Sequence, residues 1–223
     1  MTLKITYLSH SGFLFDDGSH KLVVDPFLTG NDLAVHKPSD LRCDYLALTH
    51  GHADHFGDTL EIARSNGCTC IAAFELANYL GEQGIEKLEP GNPGGRIHTD
   101  FGYVAFTQAF HSSSYEGRYM GPACGFVIKM GGKKVYHAGD TALFSDMKLI
   151  GEMARPDVSL LPVGDRFTMA PDLASKAAEF VGAPVAVPIH YKTFGLLNQT
   201  IEGFEPEGIE VKEMQPGETW TLE

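Results

Sequence analysis

Residues 49–55 read Thr-His-Gly-His-Ala-Asp-His, and no other segment constrains the chain so strongly. The segment closes a run of strand character, residues 45–49, and sets three imidazoles and a carboxylate within six positions. His50 and His52 are two apart, so in extended backbone their side chains leave the same face. That spacing can serve one metal ion. Asp54 and His55 follow a turn that the small Gly51 and Ala53 permit, and can address a second ion from the other side. Imidazole suits zinc, iron, nickel or copper, and a carboxylate widens the choice toward harder ions, so the donor types imply a divalent first-row metal. The bland alternative is a run of solvated loop histidines or a hydrogen-bonded hinge, and the density of strong donors argues against it. A metal pair needs three more ligands. His111, Asp140 in Gly139-Asp140-Thr141, and His190 after Val187-Pro188-Ile189 are the candidates, each at the end of an apolar run. Taken singly, each histidine reads more readily as a partly buried, hydrogen-bonded side chain. With the cluster they complete a set.

The rest of the chain supplies a scaffold for such a site. Short β-branched or aromatic runs bounded by turn residues predict strands at 4–8, 12–15, 22–25, 45–49, 69–72, 103–109, 125–130, 133–137, 158–162 and 185–189. Asp17-Gly18 and Gly131-Gly132 fit tight hairpin loops. Helices are predicted at 59–66, ended by Gly67, and at 75–83, ended by Gly84. A third is capped by Ser145 and buries Met147, Ile150, Met153 and Ala154 until Pro156 stops it. A fourth starts after Pro171 and runs over 172–181, with Leu173, Ala177 and Phe180 on one face. Strands outnumber helices, which points to two sheets packed face to face with helices outside, in one domain spanning residues 1–223. An echo between halves, with 45–49 leading to His50 and 133–136 leading to His137 and Asp140, suggests a duplication.

With 43% hydrophobic residues, the 223-residue chain can fill a sizeable core. No run approaches the ~20 apolar residues of a membrane helix, and the N-terminus lacks a signal-peptide pattern, so the expected location is cytoplasmic. Cys43, Cys68, Cys70 and Cys124 form no C-x-x-C pair and read as reduced, half-buried thiols. The formal net charge of −12 disfavours a nucleic-acid partner. A small-molecule substrate fits better, and a homo-oligomer stays open. Gly91-Asn92-Pro93-Gly94-Gly95 lacks the Lys-Ser/Thr of a phosphate loop and reads as a turn.

H-x-H-x-D-H followed by a distant His, Gly-Asp-Thr and a last His resembles the metallo-β-lactamase superfamily over nearly the whole chain. His10-Ser11-Gly12-Phe13, Val24-Asp25-Pro26-Phe27, Tyr136 to Thr141 and Phe167-Thr168-Met169 look like its small metal-dependent hydrolase branch, which is similar to the ascorbate-6-phosphate lactonases. The resemblance implies an α/β fold, an αβ/βα four-layer sandwich of two mixed β-sheets with external helices. It implies that His50, His52 and His111 hold one metal, that Asp54, His55 and His190 hold a second, and that Asp140 bridges both. Two divalent ions are then expected, zinc first, with manganese, iron or nickel as alternatives. Asp25 matches a residue that supports the histidines by hydrogen bonds, against a plain reading as a strand-end turn residue. His10 lies outside the seven ligands and could serve as a proton donor or substrate contact.

Such a site would act as a dinuclear hydrolase, with a metal-bridging hydroxide attacking a small ester, lactone or phosphodiester and Asp54 orienting it. Arg118, Arg166 and Lys192 are candidates to meet a substrate anion, each balanced by an ordinary exposed-loop reading. The rivals are a ribonuclease Z-like nuclease, which the acidic charge and the lack of a basic arm disfavour, and a non-catalytic metal-binding or sensor module.

Overall fold

The computed structural model describes residues 2–223 and contains two seven-stranded mixed sheets. The first half supplies β1 (Leu3–Ser9), β2 (Gly12–Asp16), β3 (Lys21–Val24), β4 (Tyr45–Ala47), β5 (Thr69–Ala73) and β6 (Leu88–Gly91). The second supplies β7 (Arg96–Thr99), β8 (Gly102–Gln108), the two-residue strands β9 (Ser114–Tyr115) and β10 (Arg118–Tyr119), β11 (Cys124–Met130), β12 (Lys133–His137), β13 (Val158–Pro162), β14 (Val185–Ile189) and β15 (Glu210–Val211). A last strand, β16 (Thr219–Leu222), crosses back to pair with β1, so the sheets run β16-β1-β2-β3-β4-β5-β6 and β15-β14-β13-β12-β11-β8-β7. Five helices interrupt them: α1 (Ala53–Phe56), α2 (Thr59–Asn66), α3 (Phe74–Glu82), α4 (Met147–Ala154) and α5 (Pro171–Val181).

All ten expected strands are present, and both hairpin loops join antiparallel neighbours, β2 to β3 and β11 to β12. The alternation of side chains builds the layers. Phe126, Ile128 and Met130 on one face of β11 join Ile5, Phe13 and Phe15 in the main core. Val127 on the opposite face joins Leu161, Ala174 and Ala178 in a second core under α4 and α5. The result is the expected four-layer α/β sandwich. Burial changes two helix faces. Met153 is 84% exposed and Leu173 45% exposed, because α4 and α5 meet through small residues. A Cβ at Gly151 would lie 2.2 Å from the Val181 carbonyl oxygen, so the closest approach belongs to Gly151 and the buried stripe of α5 is Ala174, Ala177, Ala178 and Val181. Ser145 does not cap α4; its hydroxyl donates to the Asp146 side chain, and Asp146 occupies the cap position.

Each sheet carries an antiparallel trio followed by parallel strands, β1-β2-β3 then β4-β5-β6, and β8-β11-β12 then β13-β14-β15. The topological echo therefore matches β12 with β3, not with β4 as the His50 and His137 comparison suggests. Among the described residues no helix is long and apolar enough to cross a membrane. All four cysteines are free and fully buried rather than half-buried.

Candidate metal centre

The site lies where the parallel strands of both sheets end. Asp25 follows β3, His50 lies just beyond β4, Asp140 follows β12 and His190 follows β14, so the two sheets deliver their donors to one edge. Asp54 and His55 are carried by the one-turn helix α1, where a simple turn was expected. His111 enters from the segment after β8. The backbone is forced to comply: His10, Asp25 and His190 hold φ of 56°, 44° and 57°. Non-glycine residues there cost about 1–3 kcal/mol each, so surrounding contacts must hold them. Gly51 is required for a different reason. A Cβ there would sit 2.6 Å from the Met120 side chain, and the Gly51 amide donates to Ser113 Oγ at 3.1 Å.

Three ring nitrogens converge at one end. His50 Nε2 lies 2.9 Å and His111 Nε2 3.2 Å from His52 Nδ1. Nitrogens at about 2.0–2.1 Å around a tetrahedral ion stand about 3.3 Å apart, so this triad has the span of a zinc-type ligand set. At the other end His10, Asp54, His55 and His190 bring one donor each within 4.8 Å of one another. Asp140 lies between them, with Oδ1 3.3 Å from His55 Nε2, and Oδ2 3.0 Å from His190 Nε2 and 3.5 Å from His111 Nε2. His55 Nε2, both His190 nitrogens and Asp140 Oδ1 are buried without an aligned hydrogen-bond partner. Buried polar atoms are normally paired, so such a convergence of unpartnered atoms able to ligate fits a cation. All seven ligand candidates read from the sequence are thus brought together. His137 is not among them: it is buried beneath the site, its Nε2–H donating to Ser11 O and its Nδ1 accepting from Gly139 N–H.

A hydrogen-bond chain selects which nitrogens face inward. Asp25, fully buried, accepts from the Thr49 amide at 2.8 Å, the Thr49 hydroxyl at 2.6 Å and His55 Nδ1–H at 2.8 Å. With its proton given to Asp25, Thr49 Oγ1 accepts from His50 Nδ1–H at 3.0 Å. Both histidines are thereby fixed with Nε2 lone pairs toward the site, the arrangement metal-ligating histidines need. His52 is held the opposite way, its Nε2 3.3 Å from Ser112 Oγ and its Nδ1 inward. Asp25 is a support for the histidines rather than a turn residue alone. Thr49 and Ser113 were not singled out in the sequence; adjacency to the histidine run is the only signal either carried.

His10 is completely buried, with Nε2 3.1 Å from Asp54 Oδ2 and Nδ1 2.8 Å from Thr193 Oγ1. Burial and the neighbouring His190 lower its pKa to about 4, so it is neutral and donates its Nε2–H to Asp54. Burial opposes charge on Asp54, yet the hydrogen bond from His10 and the His190 imidazole 3.6 Å away hold its carboxyl well below the usual range. Burial likewise opposes a proton on His55 and His190, but Asp140, with Asp25 at His55 and Asp54 at His190, reverses this. His55 is left well above its ordinary value and His190 at about 9. Burial and neighbouring imidazoles keep His50 well below it. Protons on His55 and His190 therefore balance the carboxylates, and a divalent cation taking their place would release them.

Two of the three candidate substrate cations are engaged elsewhere. Arg118 makes a bidentate pair with Glu82, and Lys192 Nζ lies 2.9 Å from Glu213 Oε1. Arg166 rests over the Phe167 ring.

Comparison with known proteins identifies the family. A family model described as a beta-lactamase superfamily domain matches residues 20–191. A UPF0173 metal-dependent hydrolase of Bacillus subtilis (strain 168) is 46% identical over 229 residues, covering 99% of this chain and 100% of that protein. One from Thermus thermophilus is 42% identical over 226 residues, with 99% and 100% covered. The solved structure of a metallo hydrolase from the archaeon Ignicoccus hospitalis superposes with a TM-score of 0.91 at 36% identity, covering 100% and 99% of the two chains. The chain therefore belongs to the metallo-β-lactamase superfamily and, within it, to the UPF0173 metal-dependent hydrolases.

Proposed function

We propose that residues 1–223 form one dinuclear hydrolase domain, working in the cytoplasm on a small ester, lactone or phosphodiester. His50, His52 and His111 would hold one divalent ion and Asp54, His55 and His190 the other, with Asp140 shared between them. Zinc is the first choice for the imidazole triad. A pair of divalent ions supplies an acidified water at neutral pH and a clamp on the attacking and leaving oxygens. The chain does the rest. Asp25 and Thr49 set the tautomers of His55 and His50, and Ser112 sets that of His52. Asp54, with one oxygen taken by His10, orients the reacting water through its other oxygen. His10 acts through Asp54, since its own ring is buried and its Nε2–H is committed.

The observation that carries this reading is the set of buried imidazole and carboxylate atoms around Asp140 that have no aligned hydrogen-bond partner. Four reduced, buried thiols support a reducing compartment. The formal charge of −12 supports a small substrate over a polyanion. The test is a panel of lactones, carboxyl esters and phosphodiesters assayed on protein of known metal content. Hydrolysis is expected to vanish with chelation, return with metal, and fall with metal content in Asp140→Ala. An Asp140→Ala variant unchanged in both would overturn the bridging role, and structured RNA cleaved far faster than small esters would overturn the substrate class.

A further inference from the structure

Two phenyl rings stand beside the Asp54 end of the cluster without a role in holding it. Phe27, from the loop after β3, and Phe194, from the loop after β14, have ring centroids 5.7 and 5.5 Å from the His10 ring and 5.9 Å from each other. Phe194 is 37% exposed although it touches a fully buried histidine, so its outer face is open. On the same two loops, Leu33 is 38% and Leu196 59% exposed. The loops are tied to one another: Leu33, Tyr191 and Lys192 line a common cavity of about 80 Å³. Paired phenyl rings at the mouth of a site, one of them with an open face, mark a ligand surface. Their anchoring is specific, because Thr193, next to Phe194, fixes His10 through its hydroxyl. The residue beside Phe194 is thus linked through His10 to Asp54.

Charge separates the substrate classes. A phosphoester or carboxylate substrate would call for a guanidinium or ammonium beside the centre. Arg118 is paired with Glu82 and Lys192 with Glu213, and Arg166 rests over the Phe167 ring. What adjoins His10 and Asp54 is aromatic.

We propose that Phe27 and Phe194 form an apolar subsite that selects uncharged carboxyl esters, thioesters or lactones carrying a hydrophobic acyl chain. This rests on the hydrolase reading above and narrows it: the carbonyl faces the metal centre while the acyl chain lies across the two rings. The bond broken is the acyl C–O or C–S bond; water supplies the hydroxyl of the acid product and a proton to the leaving alcohol or thiol.

The experiment uses zinc-loaded protein with p-nitrophenyl acetate, butyrate and hexanoate, and bis(p-nitrophenyl) phosphate. Four added methylenes partly covered by phenyl rings predict a kcat/KM for hexanoate about tenfold or more above acetate. Phe194→Ala is expected to collapse that ratio to within about twofold, chiefly through KM, whereas Arg166→Ala leaves it unchanged. Binding of the non-hydrolysable p-nitrophenyl hexyl ether, followed by calorimetry on metal-free and loaded protein, is expected to weaken at least about fivefold in Phe194→Ala. A flat acyl series, a phosphodiester preferred over hexanoate, or a loss confined to Arg166→Ala would overturn the subsite while leaving the hydrolase standing. Loaded protein that cleaves no ester and no phosphodiester would instead overturn the hydrolase reading.

Discussion

Asp25→Asn isolates the support beneath the histidines, because it keeps the side chain's shape and removes its negative charge and its capacity to accept on both oxygens. Asp25 receives three N–H or O–H donors, two from Thr49 and one from His55, and none of this reaches solvent. An asparagine must turn its NH₂ toward at least one of them. If it faces the Thr49 hydroxyl, that hydroxyl must rotate to accept, and His50 Nδ1–H then loses its acceptor. Hydrogen bonds to charged groups contribute about 1.5–3 kcal/mol each, and one or two are lost, so destabilisation of about 2–5 kcal/mol is expected. For a chain of this length that lowers Tm by roughly 5–15 °C. Loss of a partner that orients metal-ligating histidines typically costs about 10–100-fold in metal affinity. Urea unfolding of the loaded protein and competition against a chromophoric chelator measure both quantities. A variant within about 0.5 kcal/mol of the parent in stability, and within twofold in metal affinity, would refute the assignment of the inward-facing nitrogens to this hydrogen-bond chain.

Two further consequences are open to measurement. Gly51→Ala drives a Cβ to 2.6 Å from both Met120 Cβ and Cγ and is expected to destabilise by about 1–3 kcal/mol and lower metal content; adding Met120→Gly, which removes both atoms, should recover the metal content, and failure to recover it would mean the contact is not the cause. His137 uses both ring nitrogens as a neutral imidazole, and burial lowers its pKa. The unfolded chain therefore takes up the proton first, and stability is lost as pH falls below the ordinary value of 6.5. Urea unfolding from pH 8 to pH 5 should show a shallower acid loss in His137→Gln than in the parent; equal slopes would exclude His137 as a contributor.

The ligand run was legible because its spacing is local: imidazoles two apart and a carboxylate before the next one need no tertiary knowledge. The strands were legible where β-branched residues alternate between turn signals. What escaped were edge elements. β6 carries Pro90 and Gly91, which propensity reads as loop, and it forms because its partner β5 supplies the parallel ladder. β16 pairs with the far end of the chain, a contact no local pattern encodes. The selection of tautomers by Asp25 and Thr49 exists only because β3 and β4 run parallel and end side by side. His10 was recognisable as unusual, but its burial beneath Phe27 and Phe194, and hence its action through Asp54, is a tertiary fact. The acidic partners of two candidate substrate cations were hidden for the same reason, since Glu82 lies 36 residues from Arg118 and Glu213 21 residues from Lys192.

The central claim is that two ions share this cluster through Asp140. Native mass spectrometry of zinc-reconstituted protein, with elemental analysis of the same sample, tests it most directly. Two ions per chain are predicted, falling to one or none in Asp140→Ala. A parent protein that saturates at a single ion, or a variant that still binds two, would contradict it.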